Sequence, residues 1–165
     1  MSKKFVVGDL VMHCREGLST IDSIIDMADK QYFLLKAKRG SGETIYVPLN
    51  TSNNIIRHIM VKADADKLLA YMKGIEKEYN ANTKQRRDAF KRRLSSGDVY
   101  DLAFLSRQLY FYNIQQDDKQ EIKYGPVDLD MLSYADNILM DELSLSYDIP
   151  REDILDFIVN KIDNM

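Results

Sequence analysis

Phe5-Val6-Val7-Gly8-Asp9-Leu10-Val11-Met12-His13 is the stretch whose reading decides the fold. It reads as a strand with Val7, Leu10 and Val11 near its apolar face, and Gly8-Asp9 marks a kink or bulge within it. Gly17 then predicts a turn. Leu18 to Met27 reads as a second strand, with Ile21 and either Ile24 or Ile25 inward. Asp29-Lys30 is a turn, and Gln31 to Lys38 is a third strand rich in Tyr32, Phe33, Leu34 and Leu35. Gly40-Ser41-Gly42 predicts a hairpin loop, followed by a strand over Thr44 to Leu49 and a short one over Ile55 to Met60. Pro48 assigns the fourth strand to an edge, because proline has no N–H for a ladder. Short strands at this spacing predict a small curled sheet or SH3-like barrel.

From Asp64 the period changes to that of a helix: Leu68, Leu69, Met72, Ile75 and Tyr79 recur on one face. Asp64 or Asp66 is the candidate cap. Asn80 to Thr83 is a break, and Asn82 or Thr83 is the candidate N-cap of a basic helix from Lys84 to Leu94. Ser95-Ser96-Gly97-Asp98 closes that helix, and Asp98 caps the next, which runs from Val99 to about Gln115. A polar loop over 116–125 ends at Gly125, and Pro126 suits the first turn of a further helix. Its apolar face carries Leu129, Leu132, Ala135, Leu139 and Leu143. A last helix begins near Pro150, with Ile154, Phe157, Ile158 and Ile162 inward. The boundary between a strand-rich part and a helical part falls near residues 61–64.

The formal net charge of −3 excludes bulk attraction to a polyanion, but the charge is uneven. Residues 81–110 are net basic and residues 111–165 strongly acidic. Such asymmetry points to an interaction surface. The single cysteine, Cys14, rules out an internal disulfide and fits a reducing, cytoplasmic setting. No stretch has the length to span a bilayer, and the N-terminus has no apolar run of signal-peptide length.

Catalytic residues, metal ligands and cofactors are not expected. His13 and His58 lie far apart in sequence. Gly40-Ser41-Gly42 lacks the Lys-Ser/Thr of a phosphate loop. Cys14 beside His13 is a conceivable nucleophile and base, the basis of a third reading as a hydrolytic or small-molecule-binding domain. Adjacent strand residues point to opposite faces, which argues against it. The acidic residues after 116 lack the ordered spacing of a calcium loop.

Two features remain as candidate sites. On a helix, Lys84, Arg87 and Lys91 form one stripe of the basic run, with Arg86 and Arg93 on a neighbouring one and Phe90 and Leu94 toward the core. Such a face contacts phosphates without reading sequence. The plainer reading is a solvated face offset by Asp88 and the acidic tail region. The second feature is the edge at Ile45-Tyr46-Val47-Pro48. An exposed edge accepts a partner strand, and the plainer reading makes Pro48 a guard against aggregation.

These residues also resemble a known family. Val7-Gly8-Asp9, Val11-Met12, Gly17 and Val47-Pro48 are followed by Leu94, Ser96-Gly97-Asp98, Ala103, Arg107 and Leu109. Met131-Leu132, Ala135, Ile138-Leu139 and Glu142-Leu143 complete the pattern. Over roughly residues 5–145 their order and spacing resembles the CarD family of bacterial transcription regulators, relatives of the RNA-polymerase-interacting domain of the transcription-repair coupling factor. The resemblance implies an α+β chain. Residues 1–61 would form a Tudor- or SH3-like β domain that pairs its edge, Thr44, Ile45, Tyr46, Val47 and Pro48, with the RNA polymerase β subunit. Residues 62–165 would form a helical domain that modulates open-complex stability through promoter DNA. Its DNA-facing residues would be Thr83, Lys84, Arg86, Arg87, Lys91, Arg92 and Arg93. The chain departs from the family's pattern in four places. Thr83 stands where many members have a wedging Trp, and Leu129-Asp130 where a basic pair is common. Tyr46 stands where Arg is frequent, and His13-Cys14 where an aromatic-Pro pair is common. An alternative is therefore a polymerase-binding adaptor, or a diverged protein-interaction module, that makes no functional DNA contact.

Overall fold

The computed structural model describes residues 4–39, 42–115 and 121–165. The chain is α+β and divides into two compact units, Met1–Ile59 and Met60–Met165.

The first unit is a five-stranded antiparallel sheet in the order β4-β3-β2-β1-β5. Its strands are β1 (Leu10–His13), β2 (Gly17–Met27), β3 (Lys30–Ala37), β4 (Thr44–Pro48) and β5 (Ile56–His58), with a 3-10 turn, Leu49–Asn54, before β5. The opening strand is shorter than its apolar residues predict. Gly8 sits at φ +96° and the Asp9 carboxylate accepts the Val6 N–H at 3.0 Å, so residues 6–9 close a turn. That turn still meets the sheet, because Gly8 N–H donates to the Ile21 carbonyl and Ile21 N–H to that of Asp9. Phe5 packs its ring at 4.5 Å on His58. The ladder between β2 and β3 shifts register between Ile21 and Ser23. Ile21 is buried, whereas Ile24 is exposed and Ile25 half-buried. The core is Val11, Ile21, Phe33, Leu35, Val47 and Ile56, one or two side chains from each strand. Gly40 and Ser41 of the expected hairpin loop lie outside the described residues.

The second unit holds α1 (Lys62–Lys73), α2 (Thr83–Ser95), α3 (Val99–Ile114), α4 (Pro126–Tyr147) and α5 (Ile154–Asp163). Neither Asp64 nor Asp66 caps α1; its N-cap is Val61, without a side-chain cap. Glu142 of α4 instead fixes the entry to α1 by accepting the Met60 N–H at 2.8 Å. Ser146 donates to the Met60 carbonyl at 2.7 Å. α1 ends at Lys73 rather than continuing to Tyr79. Ile75 is still buried, but residues 75–82 run as a non-helical segment. The Gln108 side chain ties that segment to α3, accepting the Glu78 N–H and donating to the Glu76 carbonyl.

Asn82 caps α2 through a 3.0 Å bond from Gln85 N–H, and Asp98 caps α3 by accepting the Tyr100 N–H. Pro126 opens α4. One apolar cluster joins α1, α4 and α5 through Leu68, Leu69, Leu139, Leu143, Ile154 and Ile158. A second joins α2 to α3 and α4 through Phe90, Leu105, Tyr124 and Leu132. Residues 116–120 of the expected polar loop lie outside the described residues. Among the described residues no helix is long and apolar enough to cross a membrane.

Candidate functional site

β4 is a terminal strand of the sheet, paired among the described residues on its β3 side alone. Its residues alternate as the pleat requires. Val47 is buried in the core and Ile45 packs against it, while Thr44 and Tyr46 are exposed and Pro48 is half-buried. Tyr46 is 52% exposed and sits opposite Leu34 of β3. Its ring meets that of Tyr32 edge-on at 6.5 Å. The edge therefore carries an aromatic pair beside an open strand.

On α2 the basic run divides into two faces. Thr83 is the first residue of the helix and is exposed, as are Lys84, Lys91 and Arg92, with Asp88 among them. Arg86 corrects the expected assignment, because only 6% of it is exposed. Arg86 is four residues before Phe90 and seven before Arg93, so all three share the stripe that turns toward α3 and α4. Its Nη2 lies 2.8 Å from Asp128 Oδ2, its Nε 3.1 Å from Oδ1, and its Nη1 donates to the Asn80 carbonyl at 2.9 Å. The rings of Tyr79 and Tyr124 lie 5.5 and 5.8 Å from its guanidinium carbon. A guanidinium buried and held this way aims its donors inward, not at a phosphate outside the helix.

Arg93 is also engaged, bonded to Asp101 at 2.8 Å and lying 3.6 Å over the Phe104 ring. Arg87 is about one-third exposed, with Nε 3.6 Å from Asp128 Oδ1. The cationic face left to solvent is Lys84, Lys91 and Arg92, with Arg87 at its margin.

Asp128 is fully buried at the start of α4. Burial pushes its carboxyl up. The hydrogen bonds from Arg86 and from Gly125 N–H, with the charges of Arg86 and Arg87, outweigh burial and hold it below its ordinary range. Arg86 is correspondingly raised, first by its hydrogen bond to Asp128. Sequence reading misses Asp128 because its partner lies 42 residues away. The local signal is an acidic residue in the first turn after Gly125-Pro126.

His13 does not pair with Cys14. Its Nδ1 accepts the N–H groups of Arg15 and Glu16, each at 3.1 Å, and Cys14 is exposed. Asp130 is exposed on α4.

Comparison with known families follows the two units. The model described as CarD-like/TRCF RID domain matches residues 5–60. The model described as CarD, C-terminal domain matches residues 67–159.

Proposed function

Because the chain belongs to the CarD family of RNA-polymerase-interacting transcription regulators, we propose that its Tudor-like unit docks on the polymerase β subunit by adding β4 to a partner strand. The observation that carries this reading is the open side of β4, with Tyr46 exposed beside it. The other terminal strand, β5, has three residues and offers far less ladder. Pro48 closes the available edge at one end, which fixes where a partner strand stops. Tyr46 replaces a charged contact with an aromatic one, so docking relies on ring packing more than on ion pairing.

The helical unit then modulates open-complex stability through the sugar-phosphate backbone of promoter DNA. Lys84, Lys91 and Arg92 are the contacting cations, with Arg87 beside them and Thr83 at the helix start. Arg86 is left out because its guanidinium is committed to Asp128. Thr83 offers no apolar wedge, so this contact positions rather than distorts the duplex. The protein acts in the cytoplasm, where polymerase is.

A second reading, an adaptor without functional DNA contact, draws on the small size of the free cationic face. Lys84, Lys91 and Arg92 surround Asp88, leaving few charges to hold a phosphate backbone.

A pull-down of polymerase β fragments by the wild type and by Tyr46→Glu tests the docking. The wild type is expected to retain the fragment and the variant to lose it. A wild type that retains no fragment refutes the reading.

A further inference from the structure

The register of the sheet gathers apolar side chains on the face opposite its core. Cross-strand partners share a face. Ser23, Leu34 and Tyr46 therefore form one row across β2, β3 and β4, and Ile25, Tyr32 and Pro48 form the next. Met27 lies beyond Ile25 on the same side of β2. The Tyr32 and Tyr46 rings meet edge-on and join the two rows. Tyr46 and Met27 are exposed, and Ile25, Tyr32, Leu34 and Pro48 are half-buried.

Scattered apolar residues on a surface need no explanation, but a contiguous group spanning three strands marks a contact surface. The row on the Thr44 side of this group is polar, with Thr20, Lys36 and Thr44 in line and Lys36 4.0 Å from Asp22. No charged side chain lies in the two apolar rows. An uncharged centre with Tyr and Met, bordered by a polar rim, is the make-up of the middle of a protein–protein interface. A polyanion or an acidic peptide finds no cation there.

We propose, resting on the docking of β4 argued above, that the polymerase β subunit covers this outer face as well as the β4 edge, using large uncharged side chains. The patch is continuous with that edge through Tyr46 and Pro48. Strands lie about 4.8 Å apart, so a strand added outside β4 runs about 14 Å from Ile25. Its side chain opposite Tyr46 reaches toward Leu34 but not to Ile25. The partner is therefore an edge strand together with a second apolar segment folded over the sheet, not a lone extended peptide. Its strand is apolar where it faces Tyr46 and Pro48 and polar where it faces Thr44.

The test compares two neighbours on β2 that point to opposite faces. Ile25 pairs with Tyr32 on the outer face, whereas Ile24 pairs with Phe33 and is itself exposed. Affinity of the full chain for a polymerase β fragment is measured by biolayer interferometry, with melting temperatures as the folding control. Ile25→Thr and Leu34→Thr are each expected to weaken binding about ten-fold. Ile24→Thr is expected to bind as the wild type does. Over a salt series from about 0.05 to about 0.5 M, wild-type affinity is expected to change by less than about three-fold, since the patch carries no charge to screen. Wild-type affinity in both Ile25→Thr and Leu34→Thr, with Tyr46→Glu still losing the fragment, overturns the covered face and leaves edge docking standing. Equal losses in Ile24→Thr and Ile25→Thr overturn it as well, as does a steep fall in affinity with salt. If Leu34→Thr does not fold, the comparison of Ile25→Thr with Ile24→Thr decides alone. A wild type that binds no fragment overturns the docking reading and this proposal together.

Discussion

Arg86 of α2 grips Asp128 of α4 with two parallel hydrogen bonds, 2.8 and 3.1 Å, where almost no water reaches either side chain. The pair sits at the foot of α4, where Asp128 also accepts the Gly125 N–H. One carboxylate thus joins two helices and closes the first turn of one of them. That role explains why a basic helix turns one of its arginines inward.

Breaking this pair leaves a buried, uncompensated charge. Asp128→Ala is expected to destabilise the helical unit by about 3–5 kcal/mol. Replacing both partners with apolar residues, as in Arg86→Met with Asp128→Leu, is expected to recover much of that stability. Urea denaturation followed by circular dichroism measures both. A single variant as stable as the wild type would show that the pair is not buried in solution.

The division of α2 into two faces sets a separate expectation for DNA. Where duplex DNA is bound, Lys91→Ala or Arg92→Ala should reduce the salt slope of log K by about 0.9 for each phosphate no longer neutralised. Arg93→Gln should leave that slope unchanged, because its charge is directed to Asp101 and Phe104. Fluorescence anisotropy over a salt series separates the outcomes. Equal slopes in all variants would favour the adaptor reading.

The β1–β2 turn carries a pH dependence. His13 Nδ1 accepts two backbone N–H groups, which requires the neutral ring. Desolvation by burial is the leading cause that holds its pKa below 6.5, against an opposing pull from Glu16. Below 6.5 the unfolded chain therefore binds the proton more readily than the folded one. Stability of the sheet unit should rise with pH up to that region, level off above it, and fall as pH drops toward the folded value. A titration of the His13 ring by NMR gives the pKa directly, and His13→Asn, which keeps an acceptor, should flatten the dependence.

Much of the sheet is visible in the sequence because its physics is local. Period-two burial through β3 and β4, with Pro48 at the edge, needs no knowledge of distant residues. The failures have equally specific causes. Val6 and Val7 look like strand residues, but the positive φ of Gly8 and the Asp9 side chain turn the backbone there. Ile75 and Tyr79 keep helical spacing beyond Gly74, yet their segment is held non-helical by Gln108. Most telling is Arg86. Its place in a basic run makes it look solvent-facing, although its spacing to Phe90 already puts it inward. Only Asp128, far along the chain, makes that burial tolerable, and the local sign of it, an acidic residue in the first turn after Gly125-Pro126, does not say which cation it meets.

The edge strand permits a clean separation of docking from folding. Tyr46 of β4 pairs with Leu34 of β3, so Leu35 is the next residue along the neighbouring strand and points to the opposite face from Leu34. Tyr46 projects to solvent, whereas Leu35 is completely buried. Tyr46→Glu leaves the sheet core intact and should change stability within about 0.5 kcal/mol, as surface substitutions usually do. Leu35→Ala leaves a cavity in the sheet core and should cost about 2–5 kcal/mol. At a temperature where both proteins remain folded, Leu35→Ala should still capture the polymerase β fragment and Tyr46→Glu should not. The reverse ranking would mean that the partner recognises the stability of the sheet, not the exposed side of β4.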